Sequence, residues 1–207
     1  AMEAALAGGA DYVGLVFFPP SPRNVSPTVA AALAAKARGR AGIVALLVDP
    51  DDAMIDTVIA AADPDLLQLH GHETPDDAAA IRPYVQALVV ALAAGDPAMG
   101  HVDAYGADAL LVDAPVPGSG NVFDWALVES VPVGRRMILA GGLTPENVAA
   151  AVAEVRPWGV DTSTGVQVAG DPLRKDPLKV RDSFERRVRP HRRAQATMGA
   201  SAIPMVT

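Results

Sequence analysis

Residues 137–165 read MILAGGLTPENVAAAVAEVRPWGVDTSTG, and this stretch decides the fold. Met137–Gly141 is a short apolar run that stops on two glycines. Thr144-Pro145-Glu146 then gives a helix start, because a hydroxyl can cap the first turn and proline is preorganised at its first position. The Ala/Val-rich segment Glu146–Glu154 suits a helix, and Gly159–Ser163 is the next short strand candidate, its end carrying Asp-Thr-Ser-Thr-Gly. Most of the strand candidates along the chain, Met137–Gly141 among them, are nearly continuous apolar runs instead of alternating, which marks strands buried on both faces of a parallel sheet.

The same unit recurs toward the N-terminus. Strands are expected at Tyr12–Phe18, Gly42–Val48, Leu66–Gly71, Ala87–Ala91 and Ala109–Asp113, making seven with the two above. Helices are expected at Thr28–Ala37 after Ser26-Pro27, at Asp51–Ala61, after Thr74-Pro75 and after Asp176-Pro177. The chain opens on a helix, Met2–Ala7, although βα units come as strand then helix. One strand is therefore expected to be missing ahead of it. A doubly wound sheet would carry G-x-G-x-x-G after its first strand, and the sequence has none. The expectation is an α/β protein with the (β/α)8 TIM-barrel fold, seven of eight strands present. Residues 1–187 form the barrel domain, and 188–207 a basic, disordered C-terminal tail.

Half of the 207 residues are hydrophobic and only 4% aromatic, which suits Ala-rich helices packed closely on buried strands. The chain has no cysteine, so disulfides and thiol chemistry are closed to it as it stands. No run approaches the ~18 apolar residues of a membrane span, and no signal peptide is evident, so a cytoplasmic location without a membrane partner is expected. The net charge of −7 conceals a cluster of Lys and Arg between 179 and 193. With no aromatic residue after Phe184, that cluster reads as a solvated extension, not a nucleic-acid site.

In such barrels function gathers at the C-terminal strand ends. Arg23 sits in the stiff loop FFPPSPRNVSP, where it could clamp an anion in a bidentate fork or pair with a surface acid. Gln68 and His70 end the third strand. Four histidines that do not cluster by position give no metal site. Asp113 ends ADALLVD, so the strand carries a carboxylate to the mouth, where it could serve as a general acid or cap the next loop. The glycine-rich loop PVPGSGNVFDW follows it. Gly141 and Gly142 after one strand, with Thr164 and Gly165 after the next, suit an anion held by backbone N–H groups.

Together, SPRNVSP, QLHG at 68–71, LLVDA at 110–114, GSGNVFDW at 118–125, LAGGLTPENV at 139–148 and GVDTSTGV at 159–166 resemble the phosphoribosylanthranilate isomerases of tryptophan biosynthesis. The resemblance spans about residues 1–184. It implies conversion of N-(5-phosphoribosyl)anthranilate to 1-(2-carboxyphenylamino)-1-deoxyribulose 5-phosphate by an Amadori rearrangement, with no cofactor and no metal. It further implies Asp113 as general acid and Arg23 on the anthranilate carboxylate. Gly141, Gly142, Thr164 and Gly165 would hold the phosphate, with Gln68 and His70 orienting the substrate. A monomer or homodimer is expected, with a small-molecule phosphoribosyl substrate as its only partner. The family's general base is a cysteine on a first strand, and this chain starts after that position. Asn121 and Gln167 stand where many members have lysine and glutamate. A phosphate-binding remnant without turnover is the rival. Schiff-base barrels need a lysine at a strand end, and Lys36, Lys175 and Lys179 are expected on helices or the C-terminal approach.

Overall fold

The computed structural model describes residues 1–116, 122–188 and 203–206. Seven parallel strands follow one another round the sheet: β1 (Tyr12–Phe17), β2 (Gly42–Leu47), β3 (Leu66–Leu69), β4 (Leu88–Ala93), β5 (Ala109–Asp113), β6 (Met137–Leu139) and β7 (Gly159–Thr162). Beyond β7 lies a two-stranded antiparallel hairpin, β8 (Gln167–Val168) with β9 (Asp171–Lys175). A last strand, β10 (Ile203–Val206), lies between β7 and β1 and closes the barrel.

The tail expectation is corrected for these four residues. Pairing Ile203↔Gly159 through Val206↔Thr162 on one side, and Tyr12↔Met205 with Val13↔Val206 on the other, places them parallel to both neighbours. Two open strand edges leave backbone N–H and C=O groups unpaired, and a short extended segment satisfies both. The position expected to stand empty is thus occupied from the C-terminal side. Of the rest of the expected tail, Val188 ends the last helix, and residues 189–202 and 207 lie outside the described residues.

The strands stop where their backbones must turn. Gly141 and Gly142 take φ of 79° and 64°, so β6 ends at Leu139, two residues before the expected end. β3 likewise ends at Leu69, ahead of His70-Gly71.

The helices cap themselves as their sequences imply. Ser26 Oγ accepts from Val29 N at the start of α2 (Pro27–Ala37), and Asp51 from Met54 N at that of α3 (Asp52–Ala62). Thr74 and Asp77 form a reciprocal capping box on α4 (Pro75–Ile81). Each cap is worth about 1 kcal/mol. α2 turns Ala30, Ala34 and Ala37 inward, and this helical spacing of small side chains seats it on the sheet. The helix expected from Glu146 instead begins at Val148, as α5 (Val148–Val155), because Asn147 is used before it. Its Oδ1 accepts from Thr144 N and its Nδ2 donates to Gly142 O, which ties down the turn after β6. After β4 and β5 the connections are 3₁₀ turns, Pro97–Tyr105 and Trp125–Val128. α1 (Met2–Ala7) and α6 (Pro177–Val188) pack against each other. Inside the barrel, Val44, Val89, Ala91, Ala109, Leu111 and Ile138 form one buried cluster. Asp113 continues the inward face of Ala109 and Leu111 by the two-residue period of a strand, and so emerges above this core.

Candidate active site

A cavity of about 270 Å³ opens above the core at the C-terminal strand ends, and Arg23, His70, Asp113, Gly141, Gly142 and Thr164 all line it. A larger cavity of about 520 Å³ lies on the flank against β1 and α2. Asp113 and His70 line only the smaller one, which makes it the chemical site.

Asp113 is held from two sides. One carboxylate oxygen accepts from the amide of Ala114 at 2.7 Å, and the other lies 3.4 Å from His70 Nε2. Both side chains are largely covered, 13% exposed for Asp113 and 19% for His70. Gln68 is fully buried beneath them, with its amide nitrogen 3.0 Å from His70 Nδ1. A neutral ring accepting at Nδ1 carries its proton on Nε2, facing the carboxylate. The line Gln68–His70–Asp113 crosses the mouth from β3 to β5 and fixes both functional groups.

The turn carrying His70 is braced in its turn. Glu73 accepts from the amides of Asp49 and Gly71, each at 2.8 Å. Asp49 accepts from His72 N at 2.6 Å and lies 3.1 Å from His72 Nδ1. These hydrogen bonds, the amide of His72 first, hold the Asp49 carboxyl below its ordinary range. Gly71 is required here, since a Cβ would meet Asp49 N at 2.7 Å.

Arg23 projects from the proline-rich loop, its own amide turned onto Ser21 Oγ at 3.1 Å. One guanidinium nitrogen donates to Thr164 Oγ1 at 3.3 Å. Its Nε is buried without a hydrogen-bond partner among the described residues. No described carboxylate forms an ion pair with it, which leaves donor capacity facing the cavity.

The two glycine turns meet. A Cβ on Gly141 would lie 2.6 Å from Ala114 N, so this turn packs against the residue after Asp113. A Cβ on Gly165 would collide with the carbonyl oxygen of Leu143, so the turns after β6 and β7 touch. Among the described residues, the amides of Gly141, Gly142 and Leu143, and of Ser163, Thr164 and Gly165, donate to no acceptor. Such paired sets of open N–H groups suit an anion.

All eight residues singled out by sequence therefore border or support one mouth. The loop GSGNVFDW falls partly outside the described residues, Asn121 included. Among the described residues no group of three His, Asp or Glu is arranged to hold a metal. One residue was missed: Lys175, expected on the approach to the last helix, ends β9 and is only 8% exposed. Its Nζ donates to Ser163 O and Oγ, both at 2.9 Å. Burial, and next the Arg23 charge, push its pKa down to about 8 against a partial offset from Asp161. The only signal in the sequence is the pair Lys175-Asp176 directly before a proline.

Comparison with known proteins agrees with this geometry. The family model for N-(5'-phosphoribosyl)anthranilate isomerase matches residues 1–186. Isomerases of that name from Azorhizobium caulinodans and Paramagnetospirillum magneticum are 47% and 48% identical to the chain, over 86% and 87% of it and 82% and 88% of their own lengths. The crystal structure of the Thermus thermophilus phosphoribosyl anthranilate isomerase superposes with a TM-score of 0.81 at 32% identity, covering 90% of this chain and 93% of that one. A phosphoribosyl anthranilate isomerase in complex with reduced 1-(o-carboxyphenylamino)-1-deoxyribulose 5-phosphate matches at TM-score 0.75 and 28% identity, over 89% and 90% of the two chains. With a family model spanning residues 1–186 and relatives at 47% and 48% identity over most of both chains, this chain belongs to the N-(5'-phosphoribosyl)anthranilate isomerase family.

Proposed function

We propose that the chain binds N-(5'-phosphoribosyl)anthranilate across this mouth and serves its isomerisation to 1-(2-carboxyphenylamino)-1-deoxyribulose 5-phosphate, a step of tryptophan biosynthesis carried out in the cytoplasm. The observation that carries the reading is the shared cavity: a strand-end carboxylate, an arginine with unspent donors and two open-amide turns face the same space. They match the three chemical parts of the substrate.

The phosphate lies on the amides of Gly141, Gly142, Thr164 and Gly165, where N–H groups supply positive potential without side-chain entropy. Arg23 takes the anthranilate carboxylate through its free guanidinium edge. Asp113 protonates the furanose ring oxygen, so that the C1–O bond breaks and nitrogen stabilises the resulting iminium. Loss of the C2 proton then gives an enolamine, which becomes the ketone. Carbon 2 is oxidised as carbon 1 is reduced, so no external redox partner enters the balance. His70, held by Gln68, keeps the carboxyl aimed at the ring oxygen. The base for C2 is, by the family resemblance, a cysteine. These 207 residues contain none, and no residue of the chain is assigned that role.

The test is a crystal structure with reduced 1-(o-carboxyphenylamino)-1-deoxyribulose 5-phosphate. The phosphate is expected on the turns after β6 and β7, the carboxylate on Arg23, and the sugar within hydrogen-bond reach of Asp113, about 2.6–3.2 Å. A ligand bound in the opposite direction, or in the flank cavity, would overturn the reading.

A further inference from the structure

Three carbonyl groups of the turn from Ser163 to Gln167 are engaged by Lys175, Asp176 and Lys179, on the approach to and start of the last helix. Val166 O accepts from Asp176 N at 2.7 Å, and Gln167 O from Lys179 Nζ at 3.0 Å. Ser163 O and Oγ both accept from Lys175 Nζ. A carbonyl facing an anion would repel it, so carbonyls held by these donors leave the anion to the amides.

We infer that Lys175 is a positioning residue for the phosphate end of the substrate: its ammonium fixes the Ser163–Thr164 turn from behind, while Arg23 fixes it from the front through Thr164. This rests on the reading above that the phosphate binds at this turn.

Three features favour it over a merely structural lysine. The first is cost. A buried ammonium is expensive, and a hydrophobic side chain of similar length would fill the same space more cheaply. The second is position. The two hydrogen bonds end on Ser163, beside the amides of Thr164 and Gly165, and not on a distant part of the hairpin. The third is charge. Arg23 and Lys175 approach one another closely enough for the arginine to disfavour the ammonium, with Asp161 as the opposing charge. A phosphate in front of the turn compensates a local excess of positive charge.

The experiment compares wild type, Lys175→Met and Lys175→Arg by calorimetric titration with inorganic phosphate and, separately, with anthranilate. Thermal unfolding is measured on each. Lys175→Met is expected to weaken phosphate binding roughly ten- to a hundredfold, the range commanded by a hydrogen bond to a charged group. Anthranilate affinity should stay within about twofold, since that half of the ligand does not use the turn, and Lys175→Arg should restore most of the loss by supplying donors to Ser163. Unchanged phosphate affinity in Lys175→Met would overturn the proposal. So would equal loss of both ligands with a lowered Tm and no rescue by arginine. Thr164→Val probes the turn from the ligand side: if wild type and this variant alike fail to bind phosphate, the turn is not the phosphate site. If Thr164→Val weakens binding and Lys175→Met does not, only the role of Lys175 fails.

Discussion

Gly165→Ala isolates the contact between the two turns. Gly165 does not need a left-handed backbone, so the added methyl acts through space alone. It would lie 2.8 Å from the carbonyl carbon of Leu143 and 2.9 Å from Thr144 Cγ2, in addition to its collision with the Leu143 oxygen. Ordinary carbon contacts are about 3.5–4.0 Å, so the turns must part by more than half an ångström. The obstacle is backbone, and it cannot rotate aside. The turn after β6 is also held by Asn147 through Gly142 and Thr144. Overpacking of this kind costs about 1–3 kcal/mol. For a domain of this size that lowers Tm by about 2–4 °C per kcal/mol. Parting the turns also spreads the amides that converge on the anion. If half of the cost falls on the bound state, phosphate affinity drops about two- to tenfold, at about 1.4 kcal/mol per decade. Differential scanning calorimetry with and without phosphate, together with titration, reads both effects. A Gly165→Ala chain with unchanged Tm and unchanged phosphate affinity would refute the packing of the two turns and the anion site built on it.

Two further outcomes follow from the structure. Lys175 has a folded-state pKa of about 8 against an ordinary 10.5, so between those values the unfolded chain binds more protons than the folded one. Its contribution therefore makes the fold more stable as pH rises from 8 to 10.5, by up to about 3 kcal/mol at 1.36 kcal/mol per unit; urea unfolding of wild type minus Lys175→Met should show this rise, and a flat difference would contradict the burial. Removing residues 203–207 deletes every pairing of β10 with β1 and β7. Each lost backbone hydrogen bond is worth about 1 kcal/mol, and the two freed edges invite association, so a lower Tm and a larger species on size-exclusion chromatography are expected, whereas unchanged elution with unchanged Tm would show the strand to be dispensable.

Much of this architecture was legible in the amino-acid sequence because its signals are local. An apolar run such as ALLV before Asp113 states both that the strand is buried and where its carboxylate emerges. Gly141-Gly142 ends a strand wherever it occurs, since the positive φ values it takes do not continue one. Three things escaped for one shared reason, which is that each depends on partners far along the chain. Ile203–Val206 contains Pro204, which lacks a ladder donor, and four residues after a charged tail carry no strand pattern. Two open edges made 40 or more residues away are what give the segment its structure. Lys175 reads as a solvated residue before a helix, and it is buried only because the β8–β9 hairpin folds it back toward Ser163. The line from Gln68 through His70 to Asp113 joins the ends of β3 and β5 past the intervening β4, and the contact between His70 and Asp113 depends on how those strands pair.

In the proposed reaction Asp113 delivers the proton that opens the ribose ring. Turnover of N-(5'-phosphoribosyl)anthranilate, followed by chromatography of the product, tests it most directly. Wild type and Asp113→Asn are compared in this chain and with a cysteine-bearing strand placed ahead of Ala1. Asparagine keeps the shape and the Ala114 contact but has no acidic proton, so the rate should fall about 10²- to 10⁴-fold with binding of the reduced product analogue retained. An Asp113→Asn chain that turns over at the wild-type rate would contradict the account.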